Sequence, residues 1–175
     1  MTTIGHCLTG MSLGVLCLPN PTKSKSITAL QLFCFAGLAN IPDWPLPMWG
    51  HHRYDISHSL IVNGAMMLLA LLVFGLWKKP RNQLGGWLVV LCGTAAWLSH
   101  FFLDSLYNHG LGLGVLWPVS EWRLNLSVPW FSTLNGWWAW DLHTARVAAI
   151  ELAVYGSLLA MAILGRRLWL KRREA

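Results

Sequence analysis

Five apolar stretches, separated by short charged or turn-forming segments, constrain this 175-residue chain more than any other feature. They run from about Ile4 to Leu18, Ile27 to Ile41, Ser57 to Trp77, Leu84 to Phe102 and Val147 to Leu164. Crossing a bilayer as a helix takes roughly 20 predominantly apolar residues, so the last three are long enough to span. The first two are shorter and contain glycine and polar residues. They are expected to span with tilt, to pack inside a bundle or to enter only partway. Only 11% of the residues are charged, against roughly a quarter in soluble domains. The expectation is an all-α, polytopic membrane bundle of about five segments, forming a single domain over residues 1–175.

The basic residues orient that bundle. Lys23 and Lys25 follow the first stretch; Lys78, Lys79 and Arg81 follow the third; Arg166, Arg167, Lys171, Arg172 and Arg173 follow the fifth. Five crossings put all of these on one side, leaving Arg53, Arg123 and Arg146 on the other. The positive-inside rule makes the first side cytoplasmic. The amino terminus then faces outward and the carboxy-terminal tail faces the cytoplasm. The net charge of +6 is therefore a topology signal, and no nucleic-acid partner is expected. The N-terminal residues lack the basic region of a signal peptide, so the first stretch is expected to be retained.

On the same reading, Asp43, Asp55, Asp104, Glu121 and Asp141 lie at the outer side, with Glu151 about one turn inside the fifth segment. Only Glu174 is cytoplasmic. His6, His51, His52, His58, His100, His109 and His143 all lie at or near the outer boundary. Trp77, Trp87 and Trp169 mark the inner interface, and Trp44 and Trp49 the outer one. Trp117, Trp122, Trp130, Trp137, Trp138 and Trp140 crowd the loop between Tyr107 and Arg146. That Trp-rich segment is expected to lie on the membrane as interfacial turns or a short hairpin, as an anchor or as a wall for a lipid. Pro42, Pro45 and Pro47 predict a helix end there. Cys7, Cys17, Cys34 and Cys92 lie in apolar stretches without a CxxC pair, which predicts packing residues rather than a disulfide or thiolate site.

Four groups stand out for chemistry. His100 and Asp104 are one helical turn apart on one face. Asp43 ends the second stretch, and His58 begins the third. A carboxylate at the edge of the hydrocarbon is costly and calls for a compensating charge. Two imidazoles and two carboxylates form a first shell suited to zinc, or to manganese or iron with added water. The competing reading of the His–Asp pair is a buried hydrogen bond with no metal. His6, at similar depth, either binds a second metal, steadies a substrate or merely caps its helix. Arg53 either pairs with Asp55 at the surface or holds a phosphate with its bidentate fork. Glu151 needs a partner, for which Arg146 or His143 is at hand. No nucleophile elbow surrounds Ser57 or Ser59, and Gly110 to Gly114 is not a nucleotide fingerprint.

His6, Pro-Asp43-Trp-Pro, Arg53-x-x-x-Ser-His58-Ser, His100-x-x-x-Asp104 and Leu116-Trp-Pro118 together resemble the YdjM-like family. Its members are bacterial inner-membrane proteins, some LexA-regulated, described as metal-dependent hydrolases and distantly similar to zinc-dependent phospholipase C. The resemblance runs from His6 to about Arg123. It implies that Asp43, His58, His100 and Asp104 hold one metal, with His6 serving a neighbouring one and Asp104 bridging. The soluble enzymes add a His-x-x-x-Glu pair, whereas the residue four after His143 here is Val147. One or two ions, with zinc foremost, are expected rather than three.

The function these readings favour is metal-dependent hydrolysis of a phosphoester, in a phospholipid-like substrate or headgroup at the outer face. Asp43 and Asp104 would take protons as well as metal, and Arg53 would stabilise phosphate charge. The first rival is a non-catalytic membrane protein with a structural His/Asp metal or hydrogen-bond cluster. The second is a carrier, which needs polar residues through the midplane, where the sequence offers chiefly Asn63 and Thr94. Membrane lipids are the expected partners; nothing in the sequence sets an oligomeric state.

Overall fold

The computed structural model describes residues 1–17, 25–79, 86–108, 112–134 and 141–174. Lys23, Arg81, His109, Trp137, Trp138 and Trp140 lie outside the described residues, as do the side chains of Lys25, His51, His52 and Glu174. Each of the five apolar stretches is a helix: α1 (Thr3–Cys17), α2 (Lys25–Ala39), α4 (Leu60–Leu76), α5 (Trp87–Ser105) and α6 (Leu142–Glu174). A single turn, α3 (Tyr54–Ser57), and two short 3-10 turns at Ile41–Asp43 and Gly50–Arg53 join α2 to α4. Among the described residues there is no strand, only isolated bridges.

Two helices, α5 and α6, are long and apolar enough to cross a membrane; α1, α2 and α4 are shorter. The third stretch thus yields less helix than expected, 17 residues from Leu60. The chain breaks at His58, and Ser59 is extended and caps α4 by accepting from the amides of Ile61 and Val62. Hydroxyls that bond the backbone locally favour such a cap over a helix interior. The fifth stretch yields more, 33 residues, starting five residues before Val147 and running to the end of the basic tail.

Burial is inverted relative to a water-soluble protein. His6, His58, His100, Asn63 and Glu151 are fully enclosed, while Leu68, Leu69 and Leu72 of α4 are more than half exposed. Water does not favour that distribution; hydrocarbon around the helices does. Contacts between helices show that they alternate in direction. Gly10 and Gly14 of α1 meet Ala39 and Leu32 of α2, and Asn63 and Gly75 of α4 meet Trp97 and Trp87 of α5. Thr2, just before α1, and Val15 within it meet Glu151 and Arg166 of α6, which runs parallel to α1. At Gly10 the helices touch backbone to backbone: a Cβ there would lie 2.4 Å from the Phe35 carbonyl oxygen. Small residues allow such approach, which in lipid replaces hydrophobic association as the source of helix packing.

The alternation gathers five helix ends at one end of the bundle: the starts of α1, α4 and α6 and the ends of α2 and α5. The loop after α5 is tied to them. Leu113 and Leu124 pair as an antiparallel bridge with both bonds at 2.9 Å. The amides of Leu126 and Val128 donate to the Ser105 and Leu106 carbonyls that α5 leaves unpaired at its end. The Leu60 amide donates to Val115, and the Ser59 hydroxyl to Trp117. Of the expected interfacial turns or short hairpin, the described part of this loop shows turns and isolated bridges without a strand.

The cysteines correct an expectation. Cys17 and Cys92 form a disulfide, with Cα atoms 6.3 Å apart, while Cys7 and Cys34 are free. Antiparallel packing of α1 on α5 brings the far end of one helix to the first turns of the other, which no spacing within the sequence reveals.

Candidate metal centre

The groups singled out from sequence converge at the gathered helix ends. Asp43 closes the 3-10 turn that Pro42 starts after α2. His58 sits in the break between α3 and α4, His100 and Asp104 lie on the last turns of α5, and His6 lies on the first turns of α1. The Nε2 atoms of His58 and His100 are 3.2 Å apart. His58 Nε2 is 3.3 Å from Asp43 Oδ1 and 3.5 Å from Asp104 Oδ2. His100 Nε2 is 3.8 Å and 3.4 Å from the same two atoms.

These separations test whether a cation fits. Arms of ~2.1 Å to a tetrahedral zinc ion put neighbouring ligand atoms about 3.4 Å apart. The five measured edges, 3.2 to 3.8 Å, bracket that value. The donor chemistry agrees. His100 Nδ1 donates to the Ala39 carbonyl at 2.8 Å, which leaves Nε2 as the ring atom turned toward the two carboxylates and the one able to bind a cation. His58 Nδ1 lies 3.2 Å from the Tyr54 carbonyl, which can only accept, and 2.8 Å from the Ser57 hydroxyl. Acceptors crowded around one point need a proton or a cation between them.

The second oxygen of Asp104 faces elsewhere. Oδ1 is 3.1 Å from His6 Nε2 and 2.9 Å from the Met1 α-amino group. The His6 ring stacks on that of His100 with centroids 3.8 Å apart. His6, Asp43, His100 and Asp104 each offer a ligand atom within 4.8 Å of the others. Asp104 thus touches two neighbouring groups of ligands, one through each oxygen.

Electrostatics follow from enclosure. Burial opposes ionisation of Asp43, but the hydrogen bond with His58 and the field of His100 outweigh it, holding the carboxyl at about 2. Burial also opposes the charged form of His58, yet hydrogen bonds to Asp104 and Asp43 raise its pKa above the ordinary value. The Tyr54 phenol is pushed up, chiefly by burial and then by Asp104 and Asp43. A proton on His58, favoured by these carboxylates, and a cation at the same point would serve the same electrostatic need. Asp43 is the most open of these groups, its side chain 13% exposed against 3% for Asp104 and none for His58.

Other expectations fare differently. Arg53 ends its 3-10 turn with its side chain exposed. Asp55 pairs with Arg123 at 2.9 Å rather than with Arg53, because the loop bridge brings Arg123 beside α3. Glu151 is partnered by neither Arg146 nor His143. It accepts from the Thr2 amide at 2.9 Å and from the Thr2 hydroxyl, while His143 meets the Thr133 carbonyl. Asn63 is no part of a polar path. Its amide donates to the Ser57 and Ser59 carbonyls, both at 2.8 Å, and its oxygen accepts from Trp97 at 2.9 Å. Sequence reading missed this brace, and it missed Tyr54, whose ring stacks on His58 at 3.8 Å.

The YdjM inner membrane protein family model matches residues 1–172. Inner membrane protein YbcI of Escherichia coli (strain K12) is 30% identical over 125 residues, 66% of this chain and 68% of that protein. No solved structure matches the chain. The family match spans all five helices that supply or enclose the cluster, and the chain belongs to the YdjM inner membrane protein family.

Proposed function

We propose that the chain is a multi-pass membrane hydrolase that uses one or two divalent cations, zinc foremost, to cleave a phosphoester of a lipid or headgroup at the outer face. The observation that carries this reading is the set of five separations among His58, His100, Asp43 and Asp104, which bracket the edge length of a metal tetrahedron. A cation held there would supply acidity to a water, toward a pKa near ~7, and polarisation of a phosphoryl oxygen. His58 and His100 hold the site through Nε2, each ring oriented by a backbone carbonyl behind it. Asp43, the most open of the four, would take a proton from a water held there, and Asp104, which touches both groups, would with His6 hold a second ion. Arg53, exposed at the same end, is assigned to the phosphate. Lipid is favoured because the cluster lies where apolar helices end and exposed Trp44, Trp122 and Trp130 gather.

A structural cation is the second reading, favoured by the near-complete enclosure of His6, His58, His100 and Asp104. Metal analysis of the purified protein beside Asp104→Ala and His58→Ala comes first. Equal, negligible metal in all three ends the hydrolase reading. Metal that is lost in the variants, without release of phosphate or headgroup from a chromogenic phosphodiester or phospholipid vesicles, selects the structural cation. A carboxy-terminal reporter active only in the cytoplasm tests the orientation, and a silent fusion reverses it.

A further inference from the structure

A groove between α1 and α2 leads from the side of the bundle to the candidate metal centre. Its volume is about 270 Å³. Phe33, Ala36, Gly37 and Trp44 form its wall, and Asn40 and Asp43 line its polar part. Phe33, Gly37 and Asn40 follow one another at intervals of four and three residues, so one face of α2 forms one side of the trough, with Thr3 and Cys7 of α1 on the other. Phe33 is 75% exposed on the flank of the helix, whereas Asp43 belongs to the cluster and is its most open ligand. Gly37 keeps the trough clear: a Cβ there would meet nothing nearer than the Trp44 ring at 3.9 Å.

Asn40 supplies a separate observation. It is 6% exposed, and its amide nitrogen is engaged by the Ala36 carbonyl at 2.7 Å and Cys7 Sγ at 3.3 Å. Its Oδ1 is enclosed with no hydrogen-bond partner. A buried acceptor without a donor is uncommon in folded proteins and calls for an explanation. Asn40 lines the same groove as Asp43, with this oxygen just beneath its surface.

We infer that this groove holds one acyl chain of a membrane glycerophospholipid, admitted sideways from the bilayer, with the headgroup resting at Asn40 and Asp43. The inference rests on the phosphoester reading and adds where the lipid sits. The apolar wall opening on a lipid-facing flank suits an alkyl chain, and the volume suits part of one chain rather than a whole lipid. The carbonyl oxygen of Asn40 suits a headgroup donor, the ammonium of phosphatidylethanolamine; phosphatidylcholine has none.

The test uses the full-length protein in vesicles of phosphatidylethanolamine and phosphatidylglycerol containing a small share of phosphatidylethanolamine with a diazirine in one acyl chain. After irradiation, peptide mapping locates the label. The expected result is labelling of the Phe33 to Trp44 segment several-fold above that of exposed Leu68, Leu69 and Leu72 on α4. Gly37→Phe should abolish the excess while metal content stays as in wild type, and diazirine phosphatidylcholine should give less of it. Labelling of the groove no stronger than of α4 overturns the inference from the wild-type map alone, whether or not the variant folds. Undiminished labelling in a folded Gly37→Phe, or equal labelling by both headgroups, overturns it too. Labelling requires no turnover: a labelled groove in a protein that hydrolyses nothing removes only the catalytic reading. An unlabelled groove in an active one removes only the lipid groove.

Discussion

His100 donates from Nδ1 to the backbone carbonyl of Ala39, the last residue of α2, at 2.8 Å. A candidate ligand on one helix is thereby aimed by the end of another, and the acceptor cannot be lost by side-chain substitution. Such outer contacts fix the tautomer and the ring angle of a metal-binding histidine. Four residues further on, Asp43 enters the same cluster from the turn after α2, so α2 both aims one ligand and carries the next.

The pH dependence follows from His58 and Asp43. The raised pKa of His58 means that its charge stabilises the metal-free fold fully below 6.5, and the contribution fades as pH rises through the raised value. Asp43 contributes above 3.8, and that contribution is lost as pH falls toward about 2. Chelator-treated protein is therefore expected to lose thermal stability above pH 6.5, while zinc-loaded protein keeps it. Melting scans across pH with and without zinc check this; two flat, coincident curves would contradict it.

Asn63 braces the break that presents His58. Asn63→Leu leaves the Ser57 carbonyl and the Trp97 indole without these bonds, and the Ser59 carbonyl with only the backbone amide of residue 63. Removing a buried partner costs about 1–3 kcal/mol. Metal affinity is expected to fall roughly 10–100-fold, as for other outer-shell losses. Competition against a chromophoric chelator reads the affinity, and unchanged binding would remove Asn63 from the site's support.

Glu151 secures the start of α1 from α6. Glu151→Ala strands two donors of Thr2 in an enclosed place, at a cost of about 1–3 kcal/mol, and Glu151→Gln retains one acceptor and should cost less. Equilibrium unfolding in detergent should rank wild type above Gln and Gln above Ala. A reversed order would mean that Glu151 acts through some other contact.

Gly10 tests the α1–α2 contact. Gly10→Val drives a side chain into the Phe35 carbonyl and is expected to destabilise by about 1–3 kcal/mol or more. Gly156, whose Cβ position is open, should tolerate alanine with a gain of up to ~1 kcal/mol from helix propensity. Equal effects at both positions would show that the tight crossing is not where the helices meet.

Features governed by near neighbours were legible in the sequence. His100 and Asp104 share a face because one turn separates them, and Pro42 marked the helix end that carries Asp43. The start of α4 was read three residues early, because composition does not reveal that Ser59 caps rather than continues a helix. Partnerships between helices were not legible. Cys17 with Cys92, Asp55 with Arg123 and Thr2 with Glu151 are separated by 75, 68 and 149 residues. Helices that are apolar on nearly every side carry no stripe to say which face meets which neighbour. Asn63 was weighed as a polar residue in the membrane, when its three bonds make it a local clasp.

The 98 residues between His6 and Asp104 impose an order on biosynthesis. While the ribosome is still making the second and fourth helices, the imidazole near the start of the chain has no carboxylate to meet. The cluster can close only when α5 has joined its predecessors, and Thr2 finds Glu151 only after α6 arrives. A nascent chain halted before residue 100 would hold Asp43 and His58 but no completed cluster, so an ion could be held by all four groups only in the last stages of assembly.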